Sequence, residues 1–320
     1  MKIKKIFITG IAGIAGRILA KLALSENYSV AGTIHQNFPE ELKSLAQNDL
    51  FKYYHIDLEN LDQVKQVIED FNPDVVIHLA GKVAGRMNNQ YFNPEIYTQN
   101  MKIFKNVLSA VKSLTNQAQF ILGSGCIVYG KPFSPSFINE IVIENLPEID
   151  PSKEPYRASK LDQEKLLFES GLEYIIARPT QYTGPGKTPT AVEYYVACEI
   201  ASIISGTKSN IEVKNKLGEI DMLDARDVAK AYLKLIAEGV TSQVYHISTG
   251  TPITVEGMAK IFLEVVNLNP NQFEIKSTDT EQILYSRFSS NKLRSLGWKP
   301  QYSLEDALTS YWEYFKNQER

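Results

Sequence analysis

The chain has 320 residues, of which 43% are hydrophobic, and a net charge of −3. It carries no block of like charge and no apolar run of about 20 residues, which disfavours nucleic acid or a membrane as a partner. Two cysteines and four dispersed histidines provide neither a disulfide framework nor the spacing of a metal site. We therefore expect a soluble, cytoplasmic protein without a metal, built as one large or two modest domains.

Short apolar runs alternate with helical patterns through the first half of the chain. Strands are predicted at 3–9, 28–34, 51–56, 74–79, 120–122 and 174–177, and helices near 14–23, 61–71, 95–114 and 154–169. Continuous apolar strands that alternate with amphipathic helices indicate a parallel sheet covered on both faces. The fold class predicted is a Rossmann-type, doubly wound α/β sheet.

The pattern changes after Arg178. Proline and glycine interrupt regularity, and short strands then separate helices predicted at 190–205, 226–238, 254–266 and 303–317. We predict a dinucleotide-binding domain at 1–178 and a smaller, mixed α/β substrate-binding region at 179–320. Some elements of the second region are expected to return to the first.

Three glycines at a spacing of three follow the first predicted strand and precede a helix. Gly10 permits a tight turn, Gly13 admits a pyrophosphate to the backbone, and Gly16 lets helix and strand pack closely. A signal peptide is the weaker interpretation, because Arg17 and Lys21 interrupt the apolar run. The predicted phosphate-binding loop comprises Gly10, Ile11, Ala12, Gly13, Ile14, Ala15 and Gly16.

Further motifs, in the same order along nearly the whole chain, resemble the extended short-chain dehydrogenase/reductase family, in its nucleotide-sugar epimerase/dehydratase branch. They are Asp57-Leu58, His78-Leu79-Ala80-Gly81, Asn100, the stretch 124–130, Tyr156 with Lys160, Arg178-Pro179, Gly184-Pro185-Gly186 and Leu296-Gly297-Trp298. Within the family, "HLAGKVAG" is similar to GDP-fucose synthases, whereas "TQYTGPG" is similar to GDP-4-keto-6-deoxymannose reductases. The resemblance implies a nicotinamide cofactor, a nucleotide-sugar substrate and a homodimer formed through the helices near 95–114 and 155–170.

The resemblance also implies which residues bind the cofactor. Beyond the glycine loop they are Thr33, His35, Asp57, Leu58, Leu79, Ala80, Gly81, Asn100, Tyr156, Lys160 and Pro179. An NAD-specific site places an acid after the second strand, but residues 32–37 contain none. NADP is therefore expected, with NAD the alternative. His35 could donate to a 2′-phosphate or could equally be a solvated loop residue.

Tyr156 and Lys160 lie four apart at the start of a predicted helix, so they share a face. A free tyrosine, with a pKa of about 10, is a poor acid–base group at neutral pH. A neighbouring ammonium favours the phenolate, so the pair is suited to proton transfer to a ketone. An ordinary surface pair of an aromatic and a cation is the alternative.

The pattern offers two positions, 124 and 125, for the serine that binds the substrate carbonyl. In the family it stands four residues before the tyrosine of a "VYG" segment, and counting back from Tyr129 reaches Gly125. An alignment to the "GSSCIYP" stretch of GDP-fucose synthases instead selects Ser124 and places Cys126 beside the sugar. We expect Ser124 to be the carbonyl ligand, and Cys126 to be either a catalytic neighbour or a small buried hydrophobe.

Substrate contacts are expected from Lys82, Gln181, Lys216 and Arg287. The family holds the substrate phosphates with an arginine where this chain has Ile220; Lys216, Lys214 and Arg287 are the candidate replacements, since a buried diphosphate needs cations. The function predicted is NAD(P)H-dependent reduction of the 4-keto group of a 4-keto-6-deoxy nucleotide sugar. A nucleotide-sugar 4-epimerase with tightly held NAD is the alternative, and a non-catalytic dinucleotide sensor is a third.

Overall fold

A computed structural model of the chain describes residues 4–35, 39–83, 93–130, 135–186, 191–279 and 281–318. In chain order its strands are β1 (Lys5–Thr9), β2 (Ser29–Ile34), β3 (Phe51–His55), β4 (Val75–His78), β5 (Gln119–Gly123), β6 (Tyr174–Pro179), β7 (Gln181–Thr183), β8 (Asn210–Val213), β9 (Glu219–Ile220), β10 (Met222–Asp224), β11 (Gln243–Ile247), β12 (Ile253–Thr254) and β13 (Glu274–Ser277). Its helices are α1 (Ile14–Ser25), α2 (Glu40–Lys43), α3 (Leu61–Phe71), α4 (Glu95–Lys112), α5 (Pro155–Phe168), α6 (Val192–Ile204), α7 (Ala225–Glu238), α8 (Val255–Val265), α9 (Asn291–Arg294) and α10 (Leu304–Gln318).

Seven parallel strands form the central sheet in the order β11-β6-β5-β4-β1-β2-β3. From β1 the chain adds β2 and β3 on one side of the sheet and then returns to add β4, β5 and β6 on the other side. This change of side between β1 and β4 is the arrangement of a dinucleotide-binding fold. In such a sheet ligands bind in the crevice outside the carboxyl ends of the strands, at that switch point. The predicted fold class is confirmed.

Two apolar cores cover the two faces of this sheet. One is formed with α1 and α7, and the other with α3, α4 and α5. Both faces are buried because the strands are almost continuously apolar: the β4 residues Val75, Val76 and Ile77 are all 0% exposed. Strands β1 to β6 and the helices between them lie close to the positions that hydrophobic periodicity predicts.

The second half of the chain builds a separate core from α6, α8 and α10 around Ile211, Met222 and Phe262. Three two-stranded sheets accompany it: β7 with β10, β8 with β13 and β9 with β12. By contrast, β11 pairs along β6 in the main sheet, and α7 packs against its α1 face. The boundary at Arg178 stays a prediction. In the described part of the chain no helix is long and apolar enough to cross a membrane.

Candidate active site

The loop between β1 and α1 has the shape of a phosphate cradle. Gly10 has φ of +70°, and a Cβ there would lie 2.9 Å from the backbone of Ala80. A Cβ on Gly16 would lie 2.8 Å from the carbonyl oxygen of Gly10. Gly13 precedes α1 without a side-chain cap, so the helix presents its first N–H groups. These features fit the pyrophosphate of a dinucleotide.

Arg17 lies beside this cradle and was not assigned a function from the sequence. It is 8% exposed and donates to the carbonyl oxygens of Ala12, at 3.1 Å, and Pro185, at 2.5 Å. The guanidinium therefore ties the glycine loop to the segment at 184–186, and its Nε lies 3.5 Å from the carboxylate of Glu41. The sequence shows Arg17 only as an interruption of an apolar run, and its contact with Pro185, 168 residues away, could not be predicted from that pattern.

The predicted ribose and adenine contacts divide into engaged and exposed groups. Thr33 is buried and its Oγ1 accepts from the backbone N–H of Gly10 at 3.2 Å. His35, at the end of β2, is exposed, and so is Asp57, which caps the backbone of Glu59. Leu58 is buried in the core. Residues 36 and 37, which belong to the segment that reads the 2′ position, lie outside the described residues.

The segment after β4 is held by Asn100 of α4. Asn100 is 1% exposed, and its amide accepts from the N–H of Lys82 at 2.7 Å and donates to the carbonyl oxygen of Lys82 at 3.0 Å. It also donates to Ser159 Oγ of α5 at 3.3 Å. Asn100 therefore fixes the chain that carries Leu79, Ala80 and Gly81 relative to the helix of the predicted proton donor.

His78, from the same motif, is fully buried between aromatic rings and bonds to Thr9 Oγ1 at 2.9 Å. Burial, followed by the charge of Lys160, lowers the pKa of His78 to about 3. The imidazole is therefore neutral at physiological pH, and it joins the ends of β1 and β4 rather than serving as an acid.

Tyr156 and Lys160 lie in the first turns of α5, which begins at Pro155. Tyr156 is half-buried, whereas Lys160 is 5% exposed and donates from Nζ to the carbonyl oxygen of Gly123 at 2.8 Å. Burial lowers the pKa of Lys160 from 10.5 to about 8. The structure thus places the pair at the carboxyl end of β5, where the Lys160 ammonium remains mostly charged at neutral pH.

Tyr232 of α7 reaches the same carboxyl end of β5 from the opposite face of the sheet. It is 2% exposed, and its hydroxyl would lie 2.9 Å from a Cβ on Gly123. Burial raises the pKa of Tyr232 well above its usual value, with smaller contributions from Tyr182 and Tyr156. The sequence did not single it out, because its place on an amphipathic helix is explained by core packing alone.

Ser124 follows β5 and is 8% exposed, with its hydroxyl donating to Glu164 Oε1 at 2.5 Å. Glu164 and Arg178 are fully buried and form a bidentate ion pair, with Nε–Oε1 at 3.0 Å and Nη2–Oε2 at 2.5 Å. Burial lowers the pKa of Arg178, but its hydrogen bonds and charge interaction with Glu164 outweigh this and raise it overall. Neither Glu164 nor the role of Arg178 was recognised from the sequence.

The ion pair continues into a chain of polar groups. Arg178 Nη1 donates to the hydroxyl of Tyr129 at 2.5 Å, and that hydroxyl lies 2.6 Å from His246 Nε2. Since His246 Nδ1 faces the carbonyl oxygen of Ser289 at 3.1 Å, Nδ1 carries the proton and Nε2 accepts from Tyr129. Burial, followed by the charge of Arg178, lowers the pKa of His246 to about 3, so the ring is neutral.

Cys126 lies in the 3₁₀ turn at Cys126–Tyr129 and is 5% exposed. Its thiol is 3.2 Å from the carbonyl oxygen of Arg178. Burial, followed by the negative charge of Asp221, raises the pKa of the Cys126 thiol well above its usual value. A thiol that stays protonated and faces a carbonyl oxygen is a poor base at neutral pH.

Two of the three candidate substrate cations, Arg287 and Lys216, are paired with carboxylates. Arg287 makes hydrogen bonds of 2.6 and 3.0 Å to Glu219, and Lys216 lies 3.4 Å from Glu281. Ile220, where the family has arginine, is buried in the core of the second half. Of the other predicted contacts, Lys82, Gln181 and the candidate Lys214 are exposed, and Pro179 is the last residue of β6.

The residues described contain no cluster of three His, Cys, Asp or Glu side chains that could hold a metal ion.

Comparison with known sequences finds a family model described as "NAD dependent epimerase/dehydratase family" that matches residues 6–248. GDP-6-deoxy-D-mannose reductase of Pseudomonas aeruginosa is 27% identical over 262 residues, covering 75% of this chain and 81% of that protein. The probable GDP-L-fucose synthase 1 of Oryza sativa is 23% identical, with 97% and 92% covered.

Solved structures show the same architecture. RMD from Pseudomonas aeruginosa, complexed with NADPH, has a TM-score of 0.77 at 23% identity, with 98% of this chain and 99% of that chain covered. UDP-glucose 4-epimerase from Thermotoga maritima, solved with UDP-glucose, has a TM-score of 0.81 at 22% identity, with 99% and 100% covered. At these identities the likeness establishes the fold alone.

Proposed function

The chain belongs to the NAD dependent epimerase/dehydratase family, and from that premise we propose that it uses NADPH to reduce the 4-keto group of a 4-keto-6-deoxy nucleotide sugar. The observation that carries the proposal is the position of Tyr156 and Lys160 at the carboxyl end of β5, beside a glycine cradle that fits a pyrophosphate. The similarity to GDP-6-deoxy-D-mannose reductase, at 27% identity, supports this substrate class.

The glycine loop and Lys160 would hold NADPH, which when bound would supply the hydride for C4 of the sugar. Tyr156 gives its hydroxyl proton to the carbonyl oxygen, so the ketone becomes a secondary alcohol, and Tyr156 then regains a proton from water. The Lys160 ammonium stabilises the transient phenolate electrostatically. Lys160 is also suited to holding the nicotinamide ribose, because Gly123 already fixes its position.

We propose NADPH over NADH because the end of β2 carries His35 and no acid at the position that would accept from a ribose 2′-hydroxyl. Thr33 contributes little to this choice, since its side chain is 3% exposed and lies against the glycine loop. The structure of RMD with NADPH is a precedent within the same fold.

A bound nucleoside diphosphate needs positively charged partners, and two of the candidates, Arg287 and Lys216, lie in ion pairs. We propose that Arg287 and Lys216 bind the diphosphate by exchanging Glu219 and Glu281 for phosphate oxygens. The exposed side chains of Lys82 and Gln181 are the proposed contacts to the sugar.

The assay follows NADPH and NADH oxidation at 340 nm against a panel of 4-keto-6-deoxy nucleotide sugars. Net oxidation is the expected result, whereas conversion of a nucleotide sugar to its 4-epimer without net oxidation would establish the epimerase alternative. Tyr156→Phe should lower kcat by at least about 100-fold with NADPH binding and Tm preserved. Tyr53→Phe, the same change on exposed strand β3, is the control and should leave kcat unchanged.

We also propose a homodimer in which α4 and α5 of one protomer pack against those of the other. Phe168, at the end of α5, is 45% exposed and is suited to this contact. Light scattering coupled to size exclusion should give twice the monomer mass of 36.1 kDa, and Phe168→Glu should shift the protein toward monomer.

A further inference from the structure

We propose that Ser124 is a structural partner of the buried Glu164–Arg178 ion pair, and that the position facing the substrate carbonyl is Gly125, which carries no hydroxyl. Tyr156 is then the side chain that donates to the carbonyl oxygen in this enzyme. The inference rests on the proposed ketone reduction for its kinetic consequence, but its structural part can be tested without substrate.

The first support is the partner of the Ser124 hydroxyl. A serine that binds a carbonyl oxygen must donate its only proton to that oxygen. Ser124 donates it to Glu164 Oε1 at 2.5 Å, and a charged acceptor in a fully buried site holds such a bond strongly. Glu164 cannot turn away, because Arg178 binds both of its oxygens.

The second support is what the ion pair needs. A buried carboxylate is stable only when its lone pairs are satisfied, and removing one donor leaves part of its charge uncompensated. Glu164 Oε1 receives Ser124 Oγ and Arg178 Nε, while Oε2 receives Arg178 Nη2. Rotation of Ser124 toward a substrate would withdraw one of these three donors, so the ion pair opposes it.

The third support is the geometry of Gly125. Its φ of 179° and ψ of 157° are extended, and adjacent side chains in extended backbone point to opposite sides. A side chain at 125 would therefore leave the backbone on the side away from Glu164. A Cβ there would have Ile127 Cγ2 and the carbonyl oxygen of Pro179 as its nearest neighbours, both at 3.6 Å, which is ordinary contact. A serine would fit at 125 without strain.

Three variants test the proposal: Ser124→Ala, Gly125→Ser and, as its matched control, Gly125→Ala. We expect Ser124→Ala to keep kcat within about threefold while Tm falls by at least about 2 °C, because Glu164 loses a donor. Ser44→Ala makes the same substitution at an exposed serine and serves as the control; it should change Tm by less than 1 °C. Gly125→Ser should give a kcat at least tenfold above that of Gly125→Ala, since one donor to a developing oxyanion contributes about 10²–10³ in kcat.

Three outcomes overturn the proposal. The first is a loss of more than threefold in kcat on Ser124→Ala, and the second is a Tm of Ser124→Ala that falls by less than about 2 °C. The third is a Gly125→Ser enzyme whose kcat is less than tenfold above that of Gly125→Ala. If the wild-type protein oxidises no cofactor with any sugar of the panel, the proposed function fails instead; the Tm difference between Ser124→Ala and Ser44→Ala then still decides the role of Ser124.

Discussion

Lys160→Met should raise the stability of the cofactor-free protein while removing its activity. The fold holds the Lys160 ammonium at 5% exposure, and burial lowers its pKa from 10.5 to about 8. At 1.36 kcal/mol for each pKa unit, this difference corresponds to about 3 kcal/mol of destabilisation at neutral pH. Methionine has a similar length and carries no charge, so the substitution removes that cost.

Part of the gain is offset, because the carbonyl oxygen of Gly123 loses the hydrogen bond that Lys160 donates at 2.8 Å. An unsatisfied buried acceptor costs about 1–3 kcal/mol. The net stabilisation expected at pH 7 is therefore between about 0 and 2 kcal/mol. The same variant should lose NADPH affinity and at least about 100-fold in kcat/KM, since the charge that favours the Tyr156 phenolate is gone.

Urea unfolding at several pH values between 7 and 10.5 separates this effect from other titrations. Between pH 8 and 10.5 the unfolded chain keeps a proton at Lys160 that the folded chain has released, so wild-type stability rises with pH. The advantage of Lys160→Met should therefore be largest at pH 7 and decline above pH 8. Lys43→Met, at an exposed lysine of α2, should show no such decline. A wild-type minus Lys160→Met difference that does not change with pH would refute the reasoning.

Three further predictions follow from the site. Stability should fall as pH drops from 6.5 toward 3, because the unfolded chain binds protons that buried His78 and His246, each with a pKa of about 3, do not; urea unfolding of His246→Gln should show a weaker fall. In D₂O the reduced sugar should carry no enzyme-dependent deuterium at C3 or C5, since the Cys126 thiol stays protonated; deuterium there that is lost in Cys126→Ser would contradict this. The preference of kcat/KM for NADPH over NADH should be modest and should increase in His35→Arg; a tenfold preference for NADH would oppose it.

The main elements follow from local physics and could be predicted. Continuous apolar runs such as residues 75–77 of β4 form strands buried on both faces, and the glycines at 10 and 16 are required by close backbone contacts. Tyr156 and Lys160 share a face because they lie one helical turn apart. Each of these features depends on residues that are near one another in the chain, so their pattern carries the information. The resemblance to the family, which the comparison confirms, rests on the same short motifs.

Long-range partners decided the rest. The sequence by itself determined the fold class, the tight glycine loop and the placement of Tyr156 and Lys160 on one helix face, because each arises within one strand–turn–helix unit. The tertiary structure decided where side chains point and what neutralises them: Ser124 meets Glu164 40 residues away, and Arg287 meets Glu219 68 residues away. The identity of a serine or an arginine in a motif does not reveal whether its side chain faces a substrate or a buried carboxylate. Only packing, which sets the burial and the nearest charge, distinguishes the two.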